Sequence, residues 1–124
     1  PESIFSAGIG ELFTIRVAGN VVKDFELGSV EYAADHLGSN LGVVLGHTNC
    51  GAVGAAIGGG AEGFIQTITD EIKVAIGEEK DGYKASCLNV ENSIQKIKSN
   101  LHMADSVKVV GAIYHIEDGR VEFI

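Results

Sequence analysis

The sequence predicts an α/β protein, a mostly parallel sheet flanked by helices and finished by a C-terminal antiparallel edge strand. Three observations carry that prediction. Runs of β-branched and aromatic residues alternate along the chain with segments of helical period. Two of the runs, residues 41–46 and 107–116, are apolar almost throughout, as strands covered on both faces are. Asp118-Gly119 then separates the second run from a short segment, residues 120–124, as a two-residue hairpin turn would.

The elements follow in order. Pro1-Glu2-Ser3 leads within a few residues into residues 12–17 (Leu-Phe-Thr-Ile-Arg-Val), which read as a strand closed by a turn at Gly19-Asn20. Ser29 is the expected N-cap of an amphipathic helix, with Glu31 in its first turn. Val30, Ala33, Ala34, Leu37 and Leu41 recur at helical spacing, and Gly38 is placed to end the helix. The strand 41–46 leads straight into His47-Thr48-Asn49-Cys50. A small-residue helix with Ala52, Val53, Ala55, Ala56 and Ile57 comes next, stopped by Gly58-Gly59-Gly60. Two further helices are expected, one aligning Ile65, Ile68 and Ile72, the other capped by Ser86 and aligning Val90, Ile94, Ile97 and Leu101. Between them residues 77–82 read as a charged surface loop. The 17 glycines punctuate these segments and form no low-complexity tract.

With 124 residues, 45% hydrophobic and 21% charged, the chain suits one domain folded around a buried core and does not have the composition of a disordered protein. Its 17 acidic against 9 basic residues give a net charge of −8, which opposes phosphate backbones and anionic lipid heads and argues against nucleic acid or membrane as a partner. No apolar run approaches the roughly 18–20 residues of a bilayer span, nor does the N-terminus have the order of a signal peptide. The expected location is the cytoplasm. Two cysteines allow at most one disulfide and leave thiols for metal binding or catalysis.

His47 and Cys50 stand three apart between a buried strand and a helix, where side chains converge on the carboxyl end of a sheet. Imidazole nitrogen and thiolate sulfur both suit zinc, and the positive end of the following helix favours the thiolate. H-x-x-C alone also fits a strand-end histidine bonded to backbone beside a small buried cysteine. A Cys50–His47 nucleophile pair is the other chemical option, although no orienting acid is identifiable. Cys87, His36, His102 and His115 read as structural or solvated residues. Gly8-Ile9-Gly10 and Gly58-Gly59-Gly60 lack the spacing of a nucleotide-binding loop.

Four segments in order then identify a likeness: E-L-F-T-I-R-V-A-G-N from Glu11, S-V-E-Y-A-A-D-H-L-G from Ser29, V-V-L-G-H-T-N-C-G-A-V from Val43 and G-A-I-Y-H-I-E-D-G-R-V-E-F from Gly111. Together they resemble the β-class carbonic anhydrases. The resemblance implies a zinc lyase that interconverts carbon dioxide and bicarbonate, assembled as a homodimer or a multiple of dimers with sites near the subunit interface. It assigns His47 and Cys50 as two of three protein ligands to zinc, the Gly51 backbone N–H as a donor facing substrate, and Phe13 and Ala18 as pocket-lining positions. The family's remaining ligand lies in a Cys-x-Asp-x-Arg motif upstream of the part resembling residues 1–5. Here Cys50 begins C-G-A-V-G and Cys87 begins C-L-N-V-E, so neither supplies it, and the family's catalytic Asp-Arg pair has no counterpart. The chain is therefore expected to be a single carbonic-anhydrase-like domain, N-terminally incomplete and lacking the first central strand, and nearly inactive alone. Two alternatives remain: a non-catalytic family member acting as an assembly or anion-binding module, and a related zinc hydrolase of carbonyl sulfide or carbon disulfide.

Overall fold

The computed structural model describes every residue except Leu101 and Met103. A mixed sheet of three strands, in the order β1-β2-β3, carries the molecule: β1 is Leu41–His47, β2 Lys108–His115 and β3 Arg120–Phe123. β1 and β2 run parallel, with Val43 opposite Val110 and His47 opposite Tyr114. β3 returns antiparallel on the far side of β2, with His115 opposite Arg120. The connection is thus four residues, 116–119, two longer at its start than the two-residue turn expected from Asp118-Gly119. The Gly119 N–H closes it on the His115 carbonyl at 2.8 Å.

Among the described residues there are five α-helices: α1 Glu2–Phe5, α2 Asp24–Leu37, α3 Gly51–Gly58, α4 Gly63–Ile76 and α5 Gly82–Asn100. α2 begins five residues before the expected cap. Glu26, in the first turn, reaches back to accept a hydrogen bond from the Lys23 N–H at 2.9 Å, while Ser29 lies inside the helix and donates to the Phe25 carbonyl. Gly38 ends it in a left-handed conformation, as expected, and Leu41 belongs to β1 and not to the helix stripe. α5 likewise starts early, because Asp81 accepts from the Lys84 N–H at 2.9 Å and caps the first turn; Ser86 is buried inside the helix. Of the stripe expected along α5, Val90, Ile94 and Ile97 are buried, and Leu101 lies outside the described residues. On α4 the buried positions are Thr69, Ile72 and Ile76, and Ile65 is exposed.

Two apolar layers result. One joins the sheet to α5 and α2 through Val44, Val109, Ile113, Val90, Ile94 and Ile97; the other joins α3, α4 and the start of α5 through Val53, Ala56, Ile72, Ile76 and Ala85. Glycine lets α5 lie directly on the sheet: a Cβ on Gly111 would stand 2.8 Å from both Val90 and Ile94.

The largest departure from expectation concerns residues 12–17. They form no strand. Val17 has extended backbone, φ −146° and ψ 149°, yet the segment joins no ladder. The segment then enters a 3₁₀ turn, Ala18–Asn20, fastened to α5 by Asn89 and Ser93, whose buried side chains donate to the Gly19 and Asn20 carbonyls at 2.6 and 2.9 Å. Gly19 is required there by a φ of +70° and by the Ile72 side chain, which a Cβ would meet at 2.7 Å. β1 differs in a related way. Expected to be covered on both faces, it exposes Leu41 and Val43 on one face and buries Val44 and Gly46 on the other, and among the described residues its outer edge pairs with no strand.

Candidate metal and substrate site

β1 ends at His47, the chain turns through Thr48 and Asn49, and Cys50 stands as the N-cap of α3. Asn49 takes the left-handed φ of +53° that this reversal demands, a conformation asparagine tolerates better than most residues. Two contacts fasten the turn to the β2–β3 connection. The Ile116 N–H donates to the Thr48 hydroxyl at 3.1 Å, and the Asn49 amide donates to Glu117 at 3.4 Å.

Both candidate ligands have a free donor atom. The His47 ring makes a 2.8 Å contact through Nδ1 to the Thr48 carbonyl. A carbonyl only accepts, so Nδ1 carries the hydrogen and Nε2 keeps its lone pair, the tautomer arrangement found in metal-bound histidines. The Cys50 thiol makes no capping hydrogen bond and is half-buried. Gly51 opens α3, where the first backbone N–H groups have no helical partner and favour an anion. No steric demand holds glycine there, since a Cβ would meet nothing within 4 Å.

The five expected site residues do not share one cavity. His47, Phe13 and Ala18 border a long groove of about 1130 Å³ between residues 12–17 and β1. Cys50 borders a separate pocket of about 560 Å³ with Thr48, Asn49, Tyr83 and Glu117. Phe13 is half-exposed, its ring centroid 6.4 Å from that of Tyr32. Among the described residues no three His, Cys, Asp or Glu side chains are grouped to hold a metal ion. The residues present thus fit zinc in donor chemistry and fall short of it in donor number.

The other candidates are engaged elsewhere. His36 is exposed in the last turn of α2 beside Tyr32, and His102 lies 3.3 Å from Glu31 and 3.6 Å from Asp35. Cys87 is half-buried on α5, and burial pushes its thiol pKa up. His115 donates from Nε2 to Glu122 at 2.7 Å, and the Tyr83 hydroxyl donates to the other oxygen of the same carboxylate at 2.9 Å. This His115–Glu122–Tyr83 cluster, with Glu117 near the Cys50 pocket, escaped sequence reasoning because Tyr83 lies 39 residues from Glu122 along the chain. The alternation of His115 with Glu117 and of Arg120 with Glu122 is the one local sign of it. Glu122 is held below its ordinary carboxylate value by His115 first and Tyr83 second. Glu117 is lowered by its own backbone N–H and then by Thr48.

A family model described as carbonic anhydrase matches residues 1–121. The carbonic anhydrase of Mycolicibacterium smegmatis is 34% identical over 98% of this chain and 66% of its own length, and carbonic anhydrase 2 of Mycobacterium tuberculosis is 32% identical over 96% and 65%. The chain therefore spans about two thirds of these curated relatives. Among solved structures, a Coccomyxa β-carbonic anhydrase in complex with acetazolamide superposes with a TM-score of 0.87 and 25% identity, covering 100% of this chain and 65% of that one. A family match along almost the whole chain, close curated relatives and a common backbone agree, and the chain belongs to the β-carbonic anhydrase family.

Proposed function

We propose that these residues form part of a zinc-dependent carbonate dehydratase, which hydrates carbon dioxide reversibly to bicarbonate, and that they supply two of its zinc donors, His47 Nε2 and Cys50 Sγ. The observation that carries this reading is the pairing of a histidine whose Nδ1 is committed to a carbonyl with a cysteine whose thiol is committed to nothing, on either side of one strand-to-helix turn. Zinc bound at such a site supplies Lewis-acid polarisation of water near neutral pH. The chain's own groups do the rest. The N-terminus of α3, beginning at Gly51, favours the bicarbonate anion, and Phe13 and Ala18 give an apolar wall for carbon dioxide on the His47 side. A third protein donor must come from outside these 124 residues, so turnover belongs to the assembly that provides it. That assembly is a cytoplasmic homodimer or a multiple of dimers, supported by large exposed apolar side chains such as Phe25, Phe64 and Phe123. Among the described residues no helix is long and apolar enough to cross a membrane.

Cobalt(II) titration of the chain tests the donor pair. A thiolate-to-cobalt absorption band is expected, lost in Cys50→Ser and weakened in His47→Ala, while carbon dioxide hydration by the unmodified chain stays near the buffer rate. Full turnover by a chain verified at 124 residues would overturn the need for an outside donor. An unchanged band in both variants would remove His47 and Cys50 from the site, leaving the anion-binding module as the reading to pursue.

A further inference from the structure

The turn from His47 to Cys50 contains one peptide group on which the direction of the imidazole depends. The His47 ring is held through Nδ1 by the Thr48 carbonyl at 2.8 Å, and that carbonyl belongs to the Thr48–Asn49 peptide. A peptide group is planar, so its carbonyl swings only as ψ of Thr48 and φ of Asn49 change. Thr48 is tied on its side by the neighbouring backbone: its N–H donates to the Tyr114 carbonyl at 3.0 Å, and its hydroxyl accepts from the Ile116 N–H at 3.1 Å. Asn49, on the other side, has a φ of +53°, which a residue other than glycine keeps only where its surroundings hold it. Its side-chain amide donates to Glu117 Oε1 at 3.4 Å, across 68 residues of sequence.

Glu117 is itself fixed. It stands in the connection that the Gly119 N–H closes on the His115 carbonyl, directly after the Ile116 that holds Thr48, and its Oε2 lies 3.8 Å from His115 Nδ1. Its carboxyl is held below the ordinary value first by its own backbone N–H and then by Thr48, so at neutral pH it is a charged acceptor, which makes the stronger hydrogen bond. It also borders the pocket that Cys50 lines. We propose that Glu117 is a positioning residue for the metal site: through the Asn49 side chain it fixes the Thr48–Asn49 peptide, whose carbonyl aims the His47 imidazole and leaves Nε2 for zinc. Asn49 is also the last joint before Cys50, so the same contact sets the spacing of the two donors. Glu117 acts through Asn49 and is not a ligand. The consequence for metal rests on the reading of His47 and Cys50 as zinc donors; the aim of the ring does not.

Two readouts on the 124-residue chain keep these parts separate. Nitrogen-15 NMR of the metal-free chain at a pH of about 8.5, where ordinary imidazoles are neutral, reports which His47 nitrogen carries the hydrogen. Cobalt(II) titration reports the affinity of the donors. The unmodified ring should be almost wholly the Nδ1–H form. Glu117→Ala should let the Nε2–H form rise to a comparable share and should raise the cobalt dissociation constant about tenfold, the lower end of what losing such a supporting contact costs, since the carboxylate is half-exposed. Glu117→Gln keeps an acceptor oxygen without the charge, so both readouts should stay near the unmodified values. Asn49→Asp sets two carboxylates against each other and should behave as Glu117→Ala does. Adding Glu117→Gln to it restores a donor and acceptor with their roles exchanged and should recover the Nδ1–H form. An unchanged tautomer in Glu117→Ala and Asn49→Asp would overturn the proposal. So would a cobalt affinity in Glu117→Gln as weak as in Glu117→Ala, which would assign the effect to charge. If the unmodified chain takes up no cobalt, the zinc reading falls, and the tautomers alone decide whether Glu117 aims the ring.

Discussion

At the scale of single residues, Glu122 shows how a side chain with no catalytic motif becomes a junction. Its two oxygens accept from His115 on β2 and Tyr83 on α5, so one carboxylate ties the terminal hairpin to a helix 39 residues earlier. The same contacts set two pKa directions. Tyr83 is raised to about 12, chiefly by donating to Glu122 and then through Cys87, and Glu122 is lowered. For Glu122 the linkage sign is that of a depressed acid: its stabilisation is present above its unfolded pKa, near 4.5, and is lost as pH falls through its lower folded value. For Tyr83 it is present below its ordinary value of 10.0 and lost as pH rises through about 12. Glu122→Gln should therefore make stability less sensitive to pH below 4.5 and bring one tyrosinate transition back toward 10. Unfolding midpoints against pH and an ultraviolet absorbance titration measure the two effects, and an unchanged tyrosine profile would show that the contact does not persist in solution.

At the scale of elements, α5 organises the packing because it touches both layers, presenting Val90, Ile94 and Ile97 to the sheet and Ala85 to α3 and α4. Its close approach to the strands depends on glycine. Gly111→Ala would push a methyl group against Val90 and Ile94, both 2.8 Å away, with a cost of about 1–3 kcal/mol by overpacking. Adding Ile94→Val removes one of the two crowding atoms and should return part of that loss, a coupling that denaturant unfolding of the single and double variants reads directly. Purely additive losses would mean that the sheet and not Ile94 yields to the methyl.

At the scale of the whole molecule, the two layers share one helix, which predicts that they unfold together. Ile72 is fully buried in the layer away from the sheet, and Ile72→Ala should cost about 2–5 kcal/mol. The amides of Val44 and Gly46, in the other layer, should lose protection by the same free energy in native-state exchange. Undiminished protection in β1 would show instead that α3 and α4 open by themselves.

Much of this was legible in the residues. Apolar runs gave β1 and β2, Gly38 gave the end of α2, and the alternation of strand and helix gave the α/β class, because side-chain period and backbone preference act over a few residues. Local spacing marked His47 and Cys50 only as candidates, and it was the family resemblance that assigned them to zinc. The same local logic misplaced the starts of α2 and α5, where Glu26 and Asp81 compete with Ser29 and Ser86 for the capping role and packing decides between them. It also made a strand of residues 12–17. β-branched residues favour extended backbone by themselves, but a strand exists only when a neighbour completes its hydrogen bonds, and that neighbour is a tertiary fact. The separation of His47 and Cys50 into two cavities, the Tyr83–Glu122–His115 junction and the open edge of β1 arise in the same way. Each depends on which distant segments lie side by side, so only the folded chain decided them.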